Sequence, residues 1–471
     1  QVRHVIYDSV SSSEALEAFQ NKYGRRALAD YDFSKAEVIV SVGADFLGDW
    51  QGGGYDANYA KGRVPKNGKM SRHIQFEANM TLSGANADKR IPVTPSQQLQ
   101  VVKALTGGSS SELPENVAAA VSKAKAQLAK AGNKGVLVTG LANIDAQQRV
   151  LDYNEETGCA AIDTDRPRLV RKGNAAETVA VLNGVISGSI KGMITVGVDP
   201  VYSFPNNEAF KEAYSNLDLS IAFTMKEDDT ALSSKLVAAS PHFLESWGDS
   251  QIKKGSFGLM QPTIRPLFDT RQFQDCLLNW IGNSVQYHEY IKENWTSSIL
   301  NGGSWNQALH DGVYTSEGEV EEEDSAGGGH LESNTDHGAA IGSSSSDGYE
   351  LTLYTKTALG DGQQANNPWL QELPDPITRT TWDNYLTISA SDAAELGLVN
   401  EHVANGALNG SYVNVGMDDV IIENVPVLIQ PGQAKGSVGL ALGYGKTASI
   451  QYEMQTGVNA YPLYKNFNPV Q

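Results

Sequence analysis

The chain has 471 residues, more than one hydrophobic core usually supports, so two or three domains are expected. Hydrophobic residues make up 40% and charged residues 19%, which indicates a folded globular protein and excludes a disordered one. A formal net charge of -19 would repel the phosphates of nucleic acids, so nucleic acid is excluded as a partner.

Cysteine and apolar patterns limit the cofactors and membrane contacts that the chain could support. Cys159 and Cys276 are far apart and lack C-x-x-C spacing, so we expect neither a four-cysteine zinc site nor an iron–sulfur cluster. No apolar run approaches the length of a membrane span, so membrane contact is expected only through partners. The chain begins at Gln1 without a signal-peptide pattern, which indicates a processed or truncated start.

The N-terminal region alternates strand and helix patterns. A β-type run at residues 2–8 precedes a helical pattern at residues 14–23, which the serines at 11–13 could cap and Gly24 would close. A continuous apolar strand at 36–45 ends in Gly-Ala-Asp, as buried parallel strands do. The same alternation then predicts helices at 117–131, 146–157, 176–187 and 207–216, and strands at 135–140, 192–198 and 219–223. This pattern is typical of doubly wound, Rossmann-like α/β sheets.

After residue 300 the composition changes. Residues 301–348 are rich in Gly, Ser, Glu and Asp, which indicates an acidic linker or surface insertion. Short alternating runs then predict a C-terminal β-barrel, with strands at 350–355, 385–388, 412–415, 420–422 and 425–429. The predicted organisation is therefore Rossmann-like α/β layers over 1–300 in one or two domains, a linker over 301–348 and a barrel over 349–471.

One stretch carries a recognisable pattern. Glu245-Ser246-Trp247-Gly248, followed by the run from Gln261 to Arg271, resembles the complex iron–sulfur molybdoenzyme family. Other segments resemble one branch of it, the molybdopterin-oxidoreductase-like part of the large iron–sulfur periplasmic subunit of bacterial alternative complex III. These segments are 43–50, 69–88, 367–376, 382–385, 430–432, 443–445 and 457–463. The resemblance covers most of the chain and implies a C-terminal barrel of the double-psi type.

In active members of the family, two molybdopterin guanine dinucleotides lie between the Rossmann-like domains and the barrel. Where those members tend to have Gly-x-Asn and Asn-Pro at strand ends, this chain has Asp45 and Asp199. A carboxylate beside a pyrophosphate should weaken binding of the dinucleotide. A family Ala-Asp pair is also replaced, by Ser233-Ser234. The branch is regarded as having lost its molybdenum, so the resemblance implies a chain without a cofactor.

Several residues are candidates for a vestigial groove or for metal ligation. Four acidic residues fall at strand ends and loops that would face the cofactor, with ordinary capping as an equal alternative: Asp45, Asp199, Asp229 and Glu245. The nearest side chains to the family's metal-ligand position are Asp8, Ser9 and the serines at 11–13, for which helix capping is favoured. His242 and Glu245 have a metal-type spacing, but Pro241 and the lack of a third ligand favour a structural loop. No catalytic residue and no metal site are assigned.

Three functional hypotheses follow. The first is a cofactorless scaffold on the periplasmic side of the bacterial inner membrane, in a quinol-oxidising complex. Its expected partners are a ferredoxin-like iron–sulfur domain, a multihaem cytochrome c and membrane quinol-binding subunits, and the partners would hold the iron–sulfur clusters and c-type haems. The alternative is an active molybdenum enzyme with bis(pterin guanine dinucleotide), a reductase or dehydrogenase of the polysulfide, thiosulfate or formate type. The third, a stand-alone binding protein, fits so large an enzyme-derived chain poorly.

Overall fold

The computed structural model describes residues 2–316, 348–403 and 408–471. The chain divides into two compact units, which are described separately. The larger unit contains residues 8–164, 171–175 and the described residues from 348 onward, and the smaller unit contains residues 2–7, 165–170 and 176–316.

A four-stranded parallel sheet forms the centre of the larger unit. Its strands lie in the order Lys89–Pro92, Arg72–Glu77, Val38–Val42 and Gly135–Thr139. The strand Val38–Val42 pairs on both sides, and its residues from 39 to 42 are buried. The strands predicted at 36–45 and 135–140 are therefore confirmed, and they form continuous apolar runs because both faces of a parallel sheet are covered.

Helices beside this sheet begin and end at recognisable signals. Thr94 and Gln97 form a reciprocal capping box at the helix Pro95–Leu105, whose first position is a proline. The helix Ser13–Tyr23 ends at Gly24, which has the positive φ of 74° that glycine adopts without strain. The other long helices bury an apolar stripe in the core of the sheet, and they are Glu115–Ala131 and Ile144–Glu156. The predicted helices at 14–23, 117–131 and 146–157 are confirmed.

The C-terminal part of the larger unit is a mixed sheet of five strands. Their order is Glu350–Tyr354, Ser437–Ala441, Leu386–Ile388, Val420–Ile429 and Tyr412–Met417. The short strand Leu386–Ile388 runs parallel to Val420–Ile429 and antiparallel to Ser437–Ala441. The two runs predicted at 420–422 and 425–429 form one strand, because pairing with Tyr412–Met417 continues across an irregularity. Closure of these strands into a double-psi-type barrel stays a prediction.

The smaller unit contains a three-stranded parallel sheet and an antiparallel sheet. The parallel strands are Gly192–Val196, Leu219–Thr224 and Leu236–Ala239, in that order. The antiparallel strands are Gly248–Lys253, Ser256–Met260 and Val313–Thr315. The strands predicted at 192–198 and 219–223 are confirmed, as are the helices predicted at 176–187 and 207–216, which form Ala175–Ile186 and Asn207–Ser215.

The remaining elements are short or were not predicted from the sequence. The strands are Leu28–Tyr31, Ile162–Arg168, Asn400–His402 and Leu408–Gly410. The helices are Asp56–Arg63, Leu82–Ala85, Pro200–Ser203, Asp229–Leu232, Phe273–Trp280, Tyr287–Asn294, Trp305–Asp311, Pro368–Glu372 and Ala390–Leu396, with a π-helix at Trp295–Ile299. Single 3-10 turns are Phe33–Lys35, Trp50–Gly52, Gly132–Lys134, Phe243–Glu245, Tyr452–Met454, Tyr461–Leu463 and Lys465–Phe467.

One prediction near the N-terminus is wrong, and a second holds only in part. Residues 2–8 form no strand, and the helix Ser13–Tyr23 starts without a side-chain cap from Ser12. The Ser11 hydroxyl instead accepts a hydrogen bond from the Ser13 backbone N–H, while the Ser11 N–H donates to the Tyr464 hydroxyl. Ser11, rather than Ser12, thus supplies a local acceptor for the first N–H of the helix, and the contact with Tyr464 positions the chain before it.

Most of the predicted linker, residues 317–347, lies outside the described residues, and the predicted domain boundaries at 300 and 349 stay predictions. Among the residues that are described, no helix is both long and apolar enough to cross a bilayer. The described chain is a mixed α/β fold with parallel and antiparallel sheets.

Candidate functional site

Asp45 lies just beyond the carboxyl end of the strand Val38–Val42, where α/β sheets usually bind ligands. The turn between them uses Gly43, which has a φ of 68°. One Asp45 carboxylate oxygen accepts a hydrogen bond of 2.8 Å from the Ser83 backbone N–H. Burial raises the pKa of Asp45, and hydrogen bonds from Ser83 oppose that rise. Asp45 therefore links a strand end to the helix Leu82–Ala85.

Asp199 occupies the corresponding place in the smaller unit, after the strand Gly192–Val196. Its Oδ1 accepts hydrogen bonds from the Thr230 backbone N–H at 3.0 Å and from the Thr230 hydroxyl at 2.8 Å. The Thr230 hydroxyl in turn accepts from the Val201 backbone N–H at 3.0 Å. These contacts join the chain after one strand to the helix Asp229–Leu232 after the next strand, so Asp199 and Asp229 lie in the same local cluster.

Glu245 has a capping role that the sequence allowed for. Its Oε2 accepts from the His242 backbone N–H at 3.0 Å, and the His242 ring Nδ1 accepts from the Leu244 N–H at 3.2 Å. The other Glu245 oxygen accepts from the Leu267 N–H at 3.1 Å. His242 and Glu245 therefore form a reciprocal capping box around the turn Phe243–Glu245, which supports a structural role for this pair over a metal site.

The structure brings together only part of the predicted groove. Asp199, Asp229 and Glu245 belong to the smaller unit, and the first two share the Thr230 cluster. Asp45 belongs to the larger unit. A groove that contains all four residues thus stays a prediction.

The side chains nearest to the family's metal-ligand position make contacts within the larger unit. Asp8 accepts from the Gly173 backbone N–H at 3.1 Å and lies 3.7 Å from the Arg171 guanidinium. The Ser9 hydroxyl donates to Asp361 at 2.6 Å. The Ser13 hydroxyl accepts from Arg26 at 2.9 Å. Among the described residues no group of three or more His, Cys, Asp or Glu side chains is arranged to hold a metal ion.

A buried polar row, which the sequence analysis missed, lies along the strand Arg72–Glu77 and consists of His73, Gln75 and Glu77. All three side chains are buried and share one face, because alternate residues of a strand point the same way. Gln75 Oε1 lies 3.0 Å from His73 Nε2, and Gln75 Nε2 donates to Glu77 at 3.1 Å. The alternation of polar and apolar residues at 72–77 was a visible signal, but such alternation usually indicates a face in water rather than a buried row.

Each end of the polar row has a partner. The Tyr59 hydroxyl lies 3.2 Å from His73 Nδ1, and Arg90 donates through Nε to Glu77 at 2.5 Å. Burial lowers the pKa of His73 to about 4, so the ring is neutral near pH 7. With His73 neutral, its Nε2–H can donate to Gln75, and Gln75 donates in turn to Glu77, so the hydrogen bonds run in one direction along the row.

The polar row also reaches the strand-end loop. Gln75 Nε2 donates to the Ala44 carbonyl at 3.2 Å, and the Ser41 hydroxyl donates to the same oxygen at 3.1 Å. Ala44 is the residue before Asp45. The row therefore positions the loop that carries Asp45. The row itself consists of fixed hydrogen bonds and one ion pair.

Lys356 is another buried ionisable group, in the C-terminal part of the larger unit. Its ammonium lies 3.7 Å from the centre of the Tyr385 ring and 5.1 Å from that of Tyr444, and it donates to the Asp383 carbonyl at 2.7 Å. Burial lowers the pKa of Lys356 to about 8. The rings stabilise the ammonium by cation–π attraction, which offsets part of the cost of burying it.

Comparisons with known proteins found one relative by sequence and one by fold. The chain is 22% identical to the menaquinone reductase, molybdopterin-binding-like subunit of Nitratidesulfovibrio vulgaris, over 92% of this chain and 68% of that protein. Its structure is similar to that of acetylene hydratase from Pelobacter acetylenicus, with a TM-score of 0.58, 11% sequence identity, and coverage of 92% of this chain and 74% of the other. No protein-family profile matches the chain.

Proposed function

We propose that this chain, which is a molybdopterin-oxidoreductase-like subunit, serves without catalysis of its own in a quinone-linked oxidoreductase complex of the alternative complex III type. The relative from Nitratidesulfovibrio vulgaris supports the link to a quinone, since it is named a subunit of a menaquinone reductase. Fold similarity alone does not decide between an enzyme and a scaffold, so the decision depends on the residues at the strand ends.

The observation that carries the proposal is the use of the two strand-end carboxylates. Asp45 accepts from Ser83, and Asp199 accepts twice from Thr230, so both act as anchors for the backbone or side chains of their own units. Each also adds a negative charge at a strand end, which would oppose the pyrophosphate of a dinucleotide bound there. The residues present therefore do not fit a molybdopterin guanine dinucleotide, and no reaction step is assigned to one.

In the proposed complex, electrons travel through the neighbours of this chain. A ferredoxin-like iron–sulfur domain and a multihaem cytochrome c would carry them, and membrane subunits would bind the quinol. The chain would lie on the periplasmic side of the bacterial inner membrane and contact the bilayer only through those subunits. Its C-terminal strands would close into the double-psi-type barrel of the family, as a structural cover.

The alternative is an active molybdenum enzyme of the polysulfide, thiosulfate or formate type. The observation in its favour is the similarity of fold to acetylene hydratase, an enzyme, over 92% of the chain. Under this alternative the dinucleotides would bind despite Asp45 and Asp199, and a ligand would have to come from the segment around Asp8 or from residues before it.

Elemental analysis of the intact complex distinguishes the scaffold proposal from the active molybdenum enzyme. Molybdenum and tungsten would be quantified per chain, pterin would be extracted and measured by fluorescence, and iron from the partners would report that the complex is intact. We expect iron in amounts that match the partner clusters and haems, with molybdenum, tungsten and pterin below about a tenth of the chain concentration. A value near one metal and two pterins per chain would overturn the scaffold proposal.

A further inference from the structure

Among the described residues, the parallel sheet of the smaller unit has one face that is only partly covered. Paired residues of parallel strands share a face, so the register places Ile194 beside Ile221 and Leu236, with Leu219 and Val196 on neighbouring rows. Four of these side chains are exposed, and together they are called the apolar sheet face: Ile194 at 41%, Val196 at 42%, Leu219 at 46% and Leu236 at 55%.

The helix Phe273–Trp280 covers one position of this face. The rings of Phe273 and Trp280 lie 4.9 Å and 6.3 Å from the ring of Phe223, which is buried. The helix adds further exposed apolar side chains next to the face: Leu277 at 41%, Trp280 at 55% and, just beyond its end, Ile281 at 75%. The helix thus forms one wall of an open apolar surface.

Such a surface is unusual for a parallel sheet, whose strands are normally buried on both faces by helices. The four side chains of the apolar sheet face and the three on and just beyond the helix are 41–75% exposed. Together they present roughly 600 Å² of apolar surface. That area is at the upper limit for a monomer and close to the roughly 800 Å² that each partner contributes to a standard protein interface. The missing layer therefore has the size of a docked helix and its surroundings.

The charges at the amino ends of the strands indicate which partner fits. Lys191 and Lys235 are exposed and directly precede the strands Gly192–Val196 and Leu236–Ala239. Lys235 donates to the Asp218 backbone carbonyl at 3.2 Å, which holds its ammonium at this rim. The exposed Asp218 precedes the middle strand Leu219–Thr224, so the two lysines and this aspartate give the rim a local charge of +1 in a chain of net charge -19, and the rim would attract an acidic helix end. The net charge disfavours a second copy of the chain and an anionic membrane as occupants, because their like charge extends over a whole surface rather than one helix end.

We propose that the apolar sheet face docks an amphipathic helix of a partner subunit, whose apolar stripe packs on Ile194, Leu219 and Leu236 and whose acidic end meets Lys191 and Lys235. The docked helix supplies the layer that the sheet lacks, in the way that crossover helices do in a complete α/β sheet. The inference rests on the proposed function in one respect, that the chain is a subunit of a complex.

Cysteine labelling of the isolated chain and of the purified complex tests the docking. Leu236→Cys would be placed in a Cys276→Ser background, with Tyr452→Cys as the matched control because Tyr452 is 84% exposed and belongs to the larger unit. We expect maleimide to label Leu236→Cys rapidly in the isolated monomer and at least tenfold more slowly in the complex, while the control changes less than twofold. Equal labelling of Leu236→Cys in both states would overturn the proposal, as would slow labelling in the isolated monomer.

Two further measurements decide between occupants. Light scattering of the isolated chain would overturn the proposal if it showed a dimer that Leu219→Lys dissociates, and so would flotation with phosphatidylcholine and phosphatidylglycerol vesicles that Leu219→Lys abolishes. Lys191→Glu with Lys235→Glu should weaken binding of the chain to the remaining purified subunits at least fivefold, whereas Lys123→Glu with Lys130→Glu on the helix Glu115–Ala131 should not.

The outcomes also separate this inference from the proposed function. If the intact complex contains molybdenum and pterin but Leu236→Cys is protected, the scaffold proposal fails and the docking proposal holds. If the complex lacks the metal and Leu236→Cys remains reactive, only the docking proposal fails.

Discussion

The two units contain parallel sheets of the same general kind but complete them differently. In the larger unit, the strand Val38–Val42 is buried on both faces, and even the polar row His73, Gln75 and Glu77 is enclosed. In the smaller unit, the strands Gly192–Val196 and Leu236–Ala239 leave large apolar side chains exposed. Most of the exposed large apolar side chains in the described part of the chain belong to the smaller unit, although it is the shorter of the two.

The difference shows that the contribution of a side chain to the free energy of unfolding depends on its burial and cannot be read from its type alone. The larger unit buries polar groups, which is costly unless they find hydrogen-bond partners, and the smaller unit exposes apolar groups whose burial would require another layer. We therefore expect mutations in the two sheets to have unequal effects on stability.

The largest expected effect comes from breaking the buried ion pair of the larger unit. Arg90→Met would leave Glu77, which is 2% exposed, without its charged partner. We expect the free energy of unfolding of this unit to fall by about 3–5 kcal/mol, measured by denaturant titration and by amide exchange on the strand Arg72–Glu77. The surface pair Asp145–Arg149 is the control, and Arg149→Met should cost about 0.5 kcal/mol or less.

The double variant Glu77→Met with Arg90→Met tests whether the unpaired charge of Glu77 causes this loss of stability. Because it removes both charges, it should recover most of the loss. A double variant no more stable than Arg90→Met would show that packing, rather than the unpaired charge, causes the effect.

The next largest effect on stability is expected when an isoleucine is replaced by alanine in each of the two parallel sheets. Ile39→Ala creates a cavity at a fully buried position and should cost about 2–5 kcal/mol, whereas Ile194→Ala, at a position that is 41% exposed, should cost about 1 kcal/mol or less. Both values would be measured in the isolated chain from amide exchange in each sheet. Equal costs would contradict the assignment of Ile194 to an open face.

A pH effect should follow from His73. Burial holds its pKa at about 4 in the folded chain, below the ordinary value of 6.5, so the unfolded chain binds a proton first as the pH falls. Stability is therefore fully present above about pH 6.5 and decreases toward pH 4, by up to roughly 1.4 kcal/mol per pH unit. Thermal unfolding between pH 4 and pH 7 measures the slope, and His73→Gln should flatten it; an unchanged slope would assign the effect to other groups.

The smallest expected effects concern the strand-end anchors. Thr230→Val removes the hydroxyl that donates to Asp199, and Ser83→Ala removes a hydroxyl that accepts from the Leu47 N–H. Each should cost about 1–2 kcal/mol in its own unit. Thr230→Val removes two hydrogen bonds, the one to Asp199 and the one from the Val201 N–H, and Ser83→Ala removes the one from the Leu47 N–H. Amide exchange at Val201 and Leu47 reports the two losses separately. An effect near zero at Leu47 would show that Ser83 is dispensable in the loop of Asp45.

Much of the secondary structure was predictable because local signals agreed with tertiary structure. The apolar run that became Val38–Val42 and the glycine that closes the helix Ser13–Tyr23 are examples. The polar row was not predictable in the same way. Its polar–apolar alternation is compatible with a surface strand, and only the chain packed above the sheet decides that this face is buried.

The candidate site, too, was predictable from the sequence only in part. The sequence placed Asp45 and Asp199 at the carboxyl ends of parallel strands, and it allowed capping as the alternative for Glu245. It did not identify the donors Ser83 and Thr230, because these lie 38 and 31 residues away along the chain. Hydrogen bonds between residues so far apart in the sequence depend on the tertiary arrangement of the strands and helices.

By itself, the sequence determined the alternation of strands and helices, the acidic charge and the resemblance to molybdopterin oxidoreductases. These properties reside in local periodicity, composition and short motifs. The tertiary structure alone decided that His73 is buried and neutral, that the strand-end carboxylates anchor neighbouring helices, and that one face of the smaller sheet is open. These properties depend on contacts between distant segments, whose desolvation and pairing no local pattern specifies.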